Sequence, residues 1–398
     1  MHFDMSATMS EDLTGRMDDE PTLPPTRTLI GTLLKVSSGV SDIFLSPMRA
    51  PEVRACGSIV RLPEGSLPML LPEDTRRITT DLVGTRPRVL PRLEAEGSCD
   101  FSCYLSGLGR FRVNIFSQRG SYAIALRAIS DPQIPNFESL QLPGQLQKLV
   151  QMRSGLVIVC GPTGSGKSST VAAIVDRINE EREVHIVSVE DPIEYQFRHK
   201  KATVLQREIH RDVPNFPTAI RAGLRYPPHV MFLNRIPDRE TMDLAIEAAD
   251  CGHLVLAELH TPDVPRTVGR ILRYFSPAEE RMTRERLARS LRAVTAQRLV
   301  PRKDGRGQIP VFEMLFSTPR TRNCIANGEA GVMSLKDAIR EGHPSGMQCF
   351  EDEMRKLQIA GVIEAEPGWE EAFAARDPGR AGESRVAQGR APMPVPKD

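Results

Sequence analysis

The segment Gly161-Pro162-Thr163-Gly164-Ser165-Gly166-Lys167-Ser168 constrains the fold of this chain more than any other. It fits G-x-x-x-x-G-K-[ST] without exception, and its surroundings fit as well: an apolar run over residues 155–160 precedes it and a helical pattern over residues 168–179 follows. Such a loop works where a buried strand turns into a helix. Glycines let backbone N–H groups converge on phosphate oxygens, and the helix N-terminus adds its positive end. There Lys167 reaches the terminal phosphates and Ser168 ligates Mg²⁺, with Ser169 next to it on the first turn. An α/β domain is therefore expected, with ATP or a close relative as its ligand. The loop alone names no reaction, since kinases, GTPases, transporters and motors share it.

The rest of the chain organises around that domain. Residues 1–27 are acidic, polar and proline-containing, and are expected to be disordered. Residues 28–131 read as a small α/β sheet domain. It has a strand at Ser41–Leu45, a helix opened by Pro72, and three consecutive antiparallel strands around Phe101–Leu105, Phe111–Phe116 and Tyr122–Leu126. Residues 132–143 hold three prolines and read as a linker. Residues 144–362 alternate strands and helices in the manner of a doubly wound domain, with buried strands at 155–160, 184–189, 230–233 and 254–257. Leu287, Leu291 and Val294 stand at i, i+4, i+7 and predict a helix through all three. The basic residues Arg284, Arg286, Arg289 and Arg292 then fall on that helix as a solvated face. Residues 363–398 are expected to be mostly disordered.

Two further segments carry candidate chemistry. Glu190-Asp191-Pro192-Ile193-Glu194 follows a predicted strand, and ligands in parallel sheets sit at strand C-terminal ends. Carboxylates there orient water or hold Mg²⁺ through its water shell, although the same residues also cap turns. His253 and His260 bracket another apolar run, 254–259. A neutral imidazole can donate to a phosphate, which makes both histidines candidate γ-phosphate sensors; a histidine taken singly is as readily structural.

These segments together resemble the secretion ATPase superfamily, and within it the type IV pilus retraction ATPases of the PilT/PilU kind. The loop matches their Walker A sequence, Glu190–Glu194 their acidic Asp box, and Cys251-Gly252-His253 through His260-Thr261 their His box. Val40–Leu45, Leu108–Gly120 and Leu126–Ile129 resemble strands of their N-terminal PAS-like domain, and Gly346-Met347-Gln348 a late signature. The resemblance spans residues 28–360. It implies an N-terminal PAS-like α+β domain followed by a RecA-like P-loop ATPase domain. It also implies a cytoplasmic ring of six subunits, peripheral to the inner membrane, that turns on a platform protein and draws pilin out of the fibre. Arg110, Arg112 and Arg127 are then the candidates for arginines that approach the phosphates of an adjacent subunit; any one of them is equally readable as a surface charge. The extension-type relatives carry extra N-terminal sequence and a four-cysteine zinc insertion, which this chain lacks.

The chain departs from the family at Walker B. Where the family runs from an apolar strand into Gly-Glu-Met-Arg-Asp-x-Glu-Thr, this sequence has Asn234-Arg235-Ile236-Pro237-Asp238-Arg239-Glu240-Thr241. The catalytic glutamate is Arg235, the glycine is Asn234, and Glu258 stands in the His box where a small or hydroxyl residue is usual. A guanidinium accepts no proton, so hydrolysis is placed in doubt while nucleotide binding is not. Three readings stand: an active retraction motor that has moved its base to the Asp box, a hydrolysis-poor paralogue working beside an active motor, and an unrelated P-loop kinase.

Global properties fit a protein partner and exclude little else. The formal net charge is +1, which argues for neither nucleic acid nor a membrane surface. The seven cysteines are dispersed, without a CxxC pair, as expected of reduced thiols in a cytosol. No apolar run reaches the length of a membrane span, so membrane contact would go through a partner.

Overall fold

The computed structural model describes residues 23–364, apart from 38, 56–57, 63–64, 85, 87–88, 130–132, 306 and 329–333. The chain divides between Asp131 and Pro132 into two compact units.

The first unit opens with α1 (Thr26–Leu34), followed by β1 (Val40–Leu45), β2 (Glu52–Ala55), β3 (Ser58–Arg61), α2 (Pro72–Val83), α3 (Val89–Glu96), β4 (Ser98–Leu105), β5 (Gly109–Gln118) and β6 (Ser121–Ile129). The strands form one antiparallel sheet in the order β3-β2-β1-β6-β5-β4. Strand β5 shows why. Phe111, Val113 and Ile115 alternate inward and are buried with Leu29, Ile78 and Leu93 of the three helices, so one face of the sheet carries the core. The expected disorder over residues 1–27 ends too late. Residues 1–22 lie outside the described residues, but Thr26 already starts α1, because Leu29, Ile30 and Leu33 give that helix a face to bury.

The second unit contains α4 (Gln147–Gln151), β7 (Gly155–Cys160), α5 (Lys167–Glu181), β8 (His185–Glu190), β9 (Thr203–Glu208), α6 (Phe216–Arg225), β10 (Val230–Leu233), α7 (Arg239–Asp250), β11 (Leu254–Leu259), α8 (Val264–Leu272), α9 (Glu280–Ser290), β12 (Leu291–Pro301), β13 (Gln308–Phe316), α10 (Pro319–Asn327), α11 (Leu335–Glu341) and α12 (Phe350–Ile359). The sheet order is β13-β12-β7-β11-β10-β8-β9, parallel except for β13. Its central strands are buried along their whole length, which is why they read as unbroken apolar runs.

Three expectations need correction here. The helix through Leu287, Leu291 and Val294 stops at Ser290. Leu291 and Val294 belong to β12, which pairs with β7 on one side and β13 on the other. A strand buried on both faces has no polar alternation, so its apolar residues matched a helical spacing by coincidence. Arg292 therefore leaves the arginine face, and the arginines that remain are engaged: Arg286 donates to Asp243 at 2.6 Å, and Arg289 reaches Asp250 at 3.5 Å, tying α9 to α7. Finally, the second unit extends past residue 362. Ile363 is buried in its core and Val362 accepts a backbone bond from Lys303; residues 365–398 lie outside the described residues.

Candidate active site

The phosphate loop joins β7 to α5, as its sequence requires. Gly161 turns sharply enough that a Cβ there would lie 2.3 Å from the Gln297 carbonyl oxygen of β12. Gly166 has φ 85°, in the left-handed region, and its missing Cβ would meet the Gln297 side chain at 2.9 Å. Thus β12 forms the rear wall of the loop. Lys167 is buried and donates to the Pro162 carbonyl at 2.9 Å. Burial holds its pKa below the usual lysine value, against the pull of Glu258 and Glu194. Ser168 donates to Glu258 Oε2 at 3.2 Å, and the Ser169 hydroxyl shares a 2.7 Å bond with the Tyr195 hydroxyl. Ser165 Oγ is buried without a hydrogen-bond partner inside the loop. A polar cradle with an orphaned hydroxyl and no room for side chains fits a phosphate chain and its Mg²⁺, with Lys167 and Ser168 as the holding groups.

The Asp box arrives from the next strand in sequence, β8, which lies beyond β11 and β10 in the sheet. Glu190 ends β8 with 2 % of its surface exposed; its Oε1 accepts from Ser188 Oγ at 2.6 Å and from Gln206 Nε2 at 3.0 Å. Burial raises its pKa to about 7, more than those bonds lower it. Glu194 is exposed and lines the same small cleft as Ser168, Glu190, Tyr195, Asn234 and Glu258. Asp191 faces the end of β10 instead. Its backbone N–H donates to Asn234 Oδ1 at 2.9 Å, and its carboxylate takes a 2.9 Å ion pair from Arg235. The Asn234 amide also donates to the Pro192 carbonyl at 3.0 Å. The two departures at Walker B are thus locked onto the Asp box. Asp238 is the N-cap of α7, accepting from Thr241 N at 2.8 Å, and Glu240 pairs with Arg221, so neither acid faces the loop.

The histidines separate. His260 follows the C-terminal end of β11, lines a cleft of 1120 Å³ together with Arg235 and Glu258, and has its pKa lowered by burial and then by Lys167 and Arg235. It is a neutral imidazole near neutral pH, able to donate to an anion. His253 stands before the first residue of β11, where its Nδ1 lies 2.6 Å from the Pro228 carbonyl. Six strand residues at about 3.3 Å each put it about 20 Å from the loop, so it is not brought to the site. The spacing that made both histidines candidates is the length of a strand, which sends them to opposite ends of β11.

The three candidate arginines all lie in the first unit. Arg110 is buried and bonded to Ser102 Oγ at 3.1 Å, which removes it from the exposed candidates. Arg112 and Arg127 are exposed and directly opposite one another on β5 and β6, a repulsive pair that Asp42 and Asp100 offset. Asp42 accepts from Arg127 Nε at 2.8 Å; burial raises its pKa, but Ser41, Arg127 and Arg54 outweigh this and hold it below the usual carboxylate value.

One residue was noticed in the sequence only as an oddity. Glu258 is 4 % exposed, touches Ser168, and has its second oxygen, Oε1, buried without a hydrogen-bond partner. Burial and then Glu194 raise its pKa to about 8, against Lys167 and Ser168. A glutamate in an otherwise apolar strand beside a phosphate loop was the available signal.

Comparison with known proteins finds similar proteins over most of the chain. The Type II/IV secretion system protein family matches residues 104–366. The chain is 36% identical over 345 residues to the type IV pilus ATPase PilU of Pseudomonas aeruginosa, covering 86% of this chain and 88% of that protein. It is 35% identical over 334 residues to the pilus retraction ATPase PilT of the same organism, covering 84% and 94%. Among solved structures, that of the pilus retraction motor PilT with bound ADP superposes with a TM-score of 0.75 at 37% identity, covering 89% of this chain and 97% of that one.

Proposed function

This chain belongs to the PilT/PilU pilus ATPases of the Type II/IV secretion system protein family, and we propose that it is an ATP-binding subunit of a type IV pilus retraction motor. The observation that supports this reading is the complete phosphate loop at the head of the parallel sheet, with Lys167 and Ser168 beside buried and exposed carboxylates. Bound Mg²⁺ would neutralise phosphate charge. The chain's own residues do the rest. Lys167 and the loop amides would hold the β- and γ-phosphates, Ser168 would hold the metal, His260 would donate toward the γ-phosphate, and Glu194, the exposed carboxylate of the cleft, would orient water. In the proposal six copies, or a mixture with a paralogous ATPase, form a cytoplasmic ring on an inner-membrane platform protein, and Arg112 and Arg127 are the arginines available to a neighbouring subunit. Among the described residues no helix is long and apolar enough to cross a membrane, which is compatible with that peripheral place.

A second reading, a hydrolysis-poor subunit beside an active motor, is favoured by one observation: the position of the catalytic glutamate is Arg235, engaged with Asp191 at 2.9 Å. Loss of a general base costs about 10²–10⁴-fold in rate. Steady-state ATPase of the purified chain beside Arg235→Glu separates the two. Turnover at the rate of an active motor, abolished by Glu194→Gln, removes the second reading. ATP binding without turnover, with gain in Arg235→Glu, removes the autonomous motor.

A further inference from the structure

In P-loop ATPases the nucleotide's Mg²⁺ is held by the loop hydroxyl and by an acid at the end of a neighbouring strand, Walker B. Here that strand is β10, and it ends in Asn234-Arg235. The Asn234 amide is used on both sides by Asp191 N and the Pro192 carbonyl, and Arg235 brings a positive charge. Neither can take the acid's part.

A carboxylate reaches Ser168 from a different strand. In the sheet, β11 lies between β7 and β10, and Glu258 is in register with Val159, two residues before Gly161 begins the loop. Its Oε2 accepts from Ser168 Oγ at 3.2 Å, while Oε1 is buried with no hydrogen-bond partner. Lys167 does not complete the pair: its ammonium donates to the Pro162 carbonyl, and Oε1 is left without a partner. An ionised carboxylate with one buried oxygen unmet is costly, and a protonated one leaves its added hydroxyl in the same position. A cation at Oε1 completes the ionised form, and a protonated carboxyl releases its proton to solvent when the cation binds. That is the setting Mg²⁺ uses, since it binds through one or two carboxylates together with substrate phosphates and water.

We propose that Glu258 supplies the carboxylate that holds the Mg²⁺ of ATP jointly with Ser168, in place of the acid that β10 lacks. The acid has moved one strand across the sheet. It keeps its relation to the loop hydroxyl but not the position of a water-activating base at Arg235. Metal-assisted binding and hydrolysis are thereby separable in this chain. The inference rests on the reading of the protein as an ATP-binding subunit.

The test is equilibrium binding of a fluorescent ATP analogue to the full chain, in EDTA and in excess Mg²⁺, with Mn²⁺ affinity of the nucleotide complex read by electron paramagnetic resonance. The parent gains affinity with Mg²⁺. Glu258→Gln keeps the side-chain volume, and Glu258→Thr removes the acid while keeping a hydroxyl, so a folding defect in one leaves the other to decide. Both are expected to bind the analogue in EDTA at least as well as the parent, and to lose about 10–100-fold in metal affinity. An equal Mg²⁺ gain and equal Mn²⁺ affinity in parent and variants overturns this inference alone. A parent that binds no nucleotide under either condition overturns the reading of function, and this inference with it.

Discussion

Replacing Glu190 with glutamine should change how the second unit's stability depends on pH, and the size of the change can be worked from its surroundings. Burial carries the Glu190 pKa from 4.5 to about 7. The folded chain therefore holds this proton more tightly than the unfolded chain does. The contribution is fully present below pH 4.5, is lost progressively as pH rises to about 7, and stays lost above that. At about 1.4 kcal/mol per pH unit the whole interval amounts to about 3.5 kcal/mol, of which about 2.5 kcal/mol falls between about pH 5 and about pH 8. Glutamine keeps the bonds from Ser188 and Gln206, since its carbonyl oxygen accepts both, and it does not titrate. Any cost of placing its amide nitrogen is independent of pH and drops out of the slope. Melting of the nucleotide-free protein at about pH 5 and about pH 8 should show a fall in the parent that exceeds the fall in Glu190→Gln by about 5–10 °C. Glu258 and Glu313 are also raised, to about 8 and about 7, so part of the slope persists in the variant. Identical slopes in parent and variant would refute the argument that Glu190 is held neutral by burial.

Other expectations follow from single contacts. Gly161→Ala should weaken nucleotide binding at least tenfold in a titration, because its methyl group would lie 2.3 Å from the Gln297 carbonyl and the loop must open to admit it. Ile363→Ala should cost about 2–4 kcal/mol in urea unfolding, since Ile363 is buried in the core of the second unit; a cost near zero would return that residue to the tail. Maleimide labelling of the native chain should modify Cys251 ahead of the other described cysteines, which are buried, and Cys251→Ser should remove that fast phase.

The elements with a local signature were legible in the sequence. Strand β7 and the loop were readable because glycine, lysine and serine sit at fixed offsets, and α2 because Pro72 opens it. Strand β12 was not, since burial on both faces erases the alternation that marks a strand. The site divided in the same way. Residues at loop and strand ends announced themselves, whereas the bond between Ser168 and Glu258 joins positions 90 apart and depends on which strand lies beside β7. Arg110 illustrates a second limit. It alternates with the core residues of β5 and was expected to be exposed, yet its side chain is buried and bonded to Ser102 Oγ. His253 fell away from the site for a geometric reason, since the six residues of β11 separate it from His260 at the other end of the strand.

The rear wall of the phosphate loop has a consequence for the order of events during synthesis. The motif is complete once Ser168 has been made, but the surface that shapes it, Gln297 of β12, is added about 130 residues later by the spacing of the two positions. A nascent chain or a fragment ending before β12 carries every residue of the motif and lacks the mould that sets its shape. On the proposed function, nucleotide capture would follow the folding of β12, so binding would report that the C-terminal half of the second unit has folded.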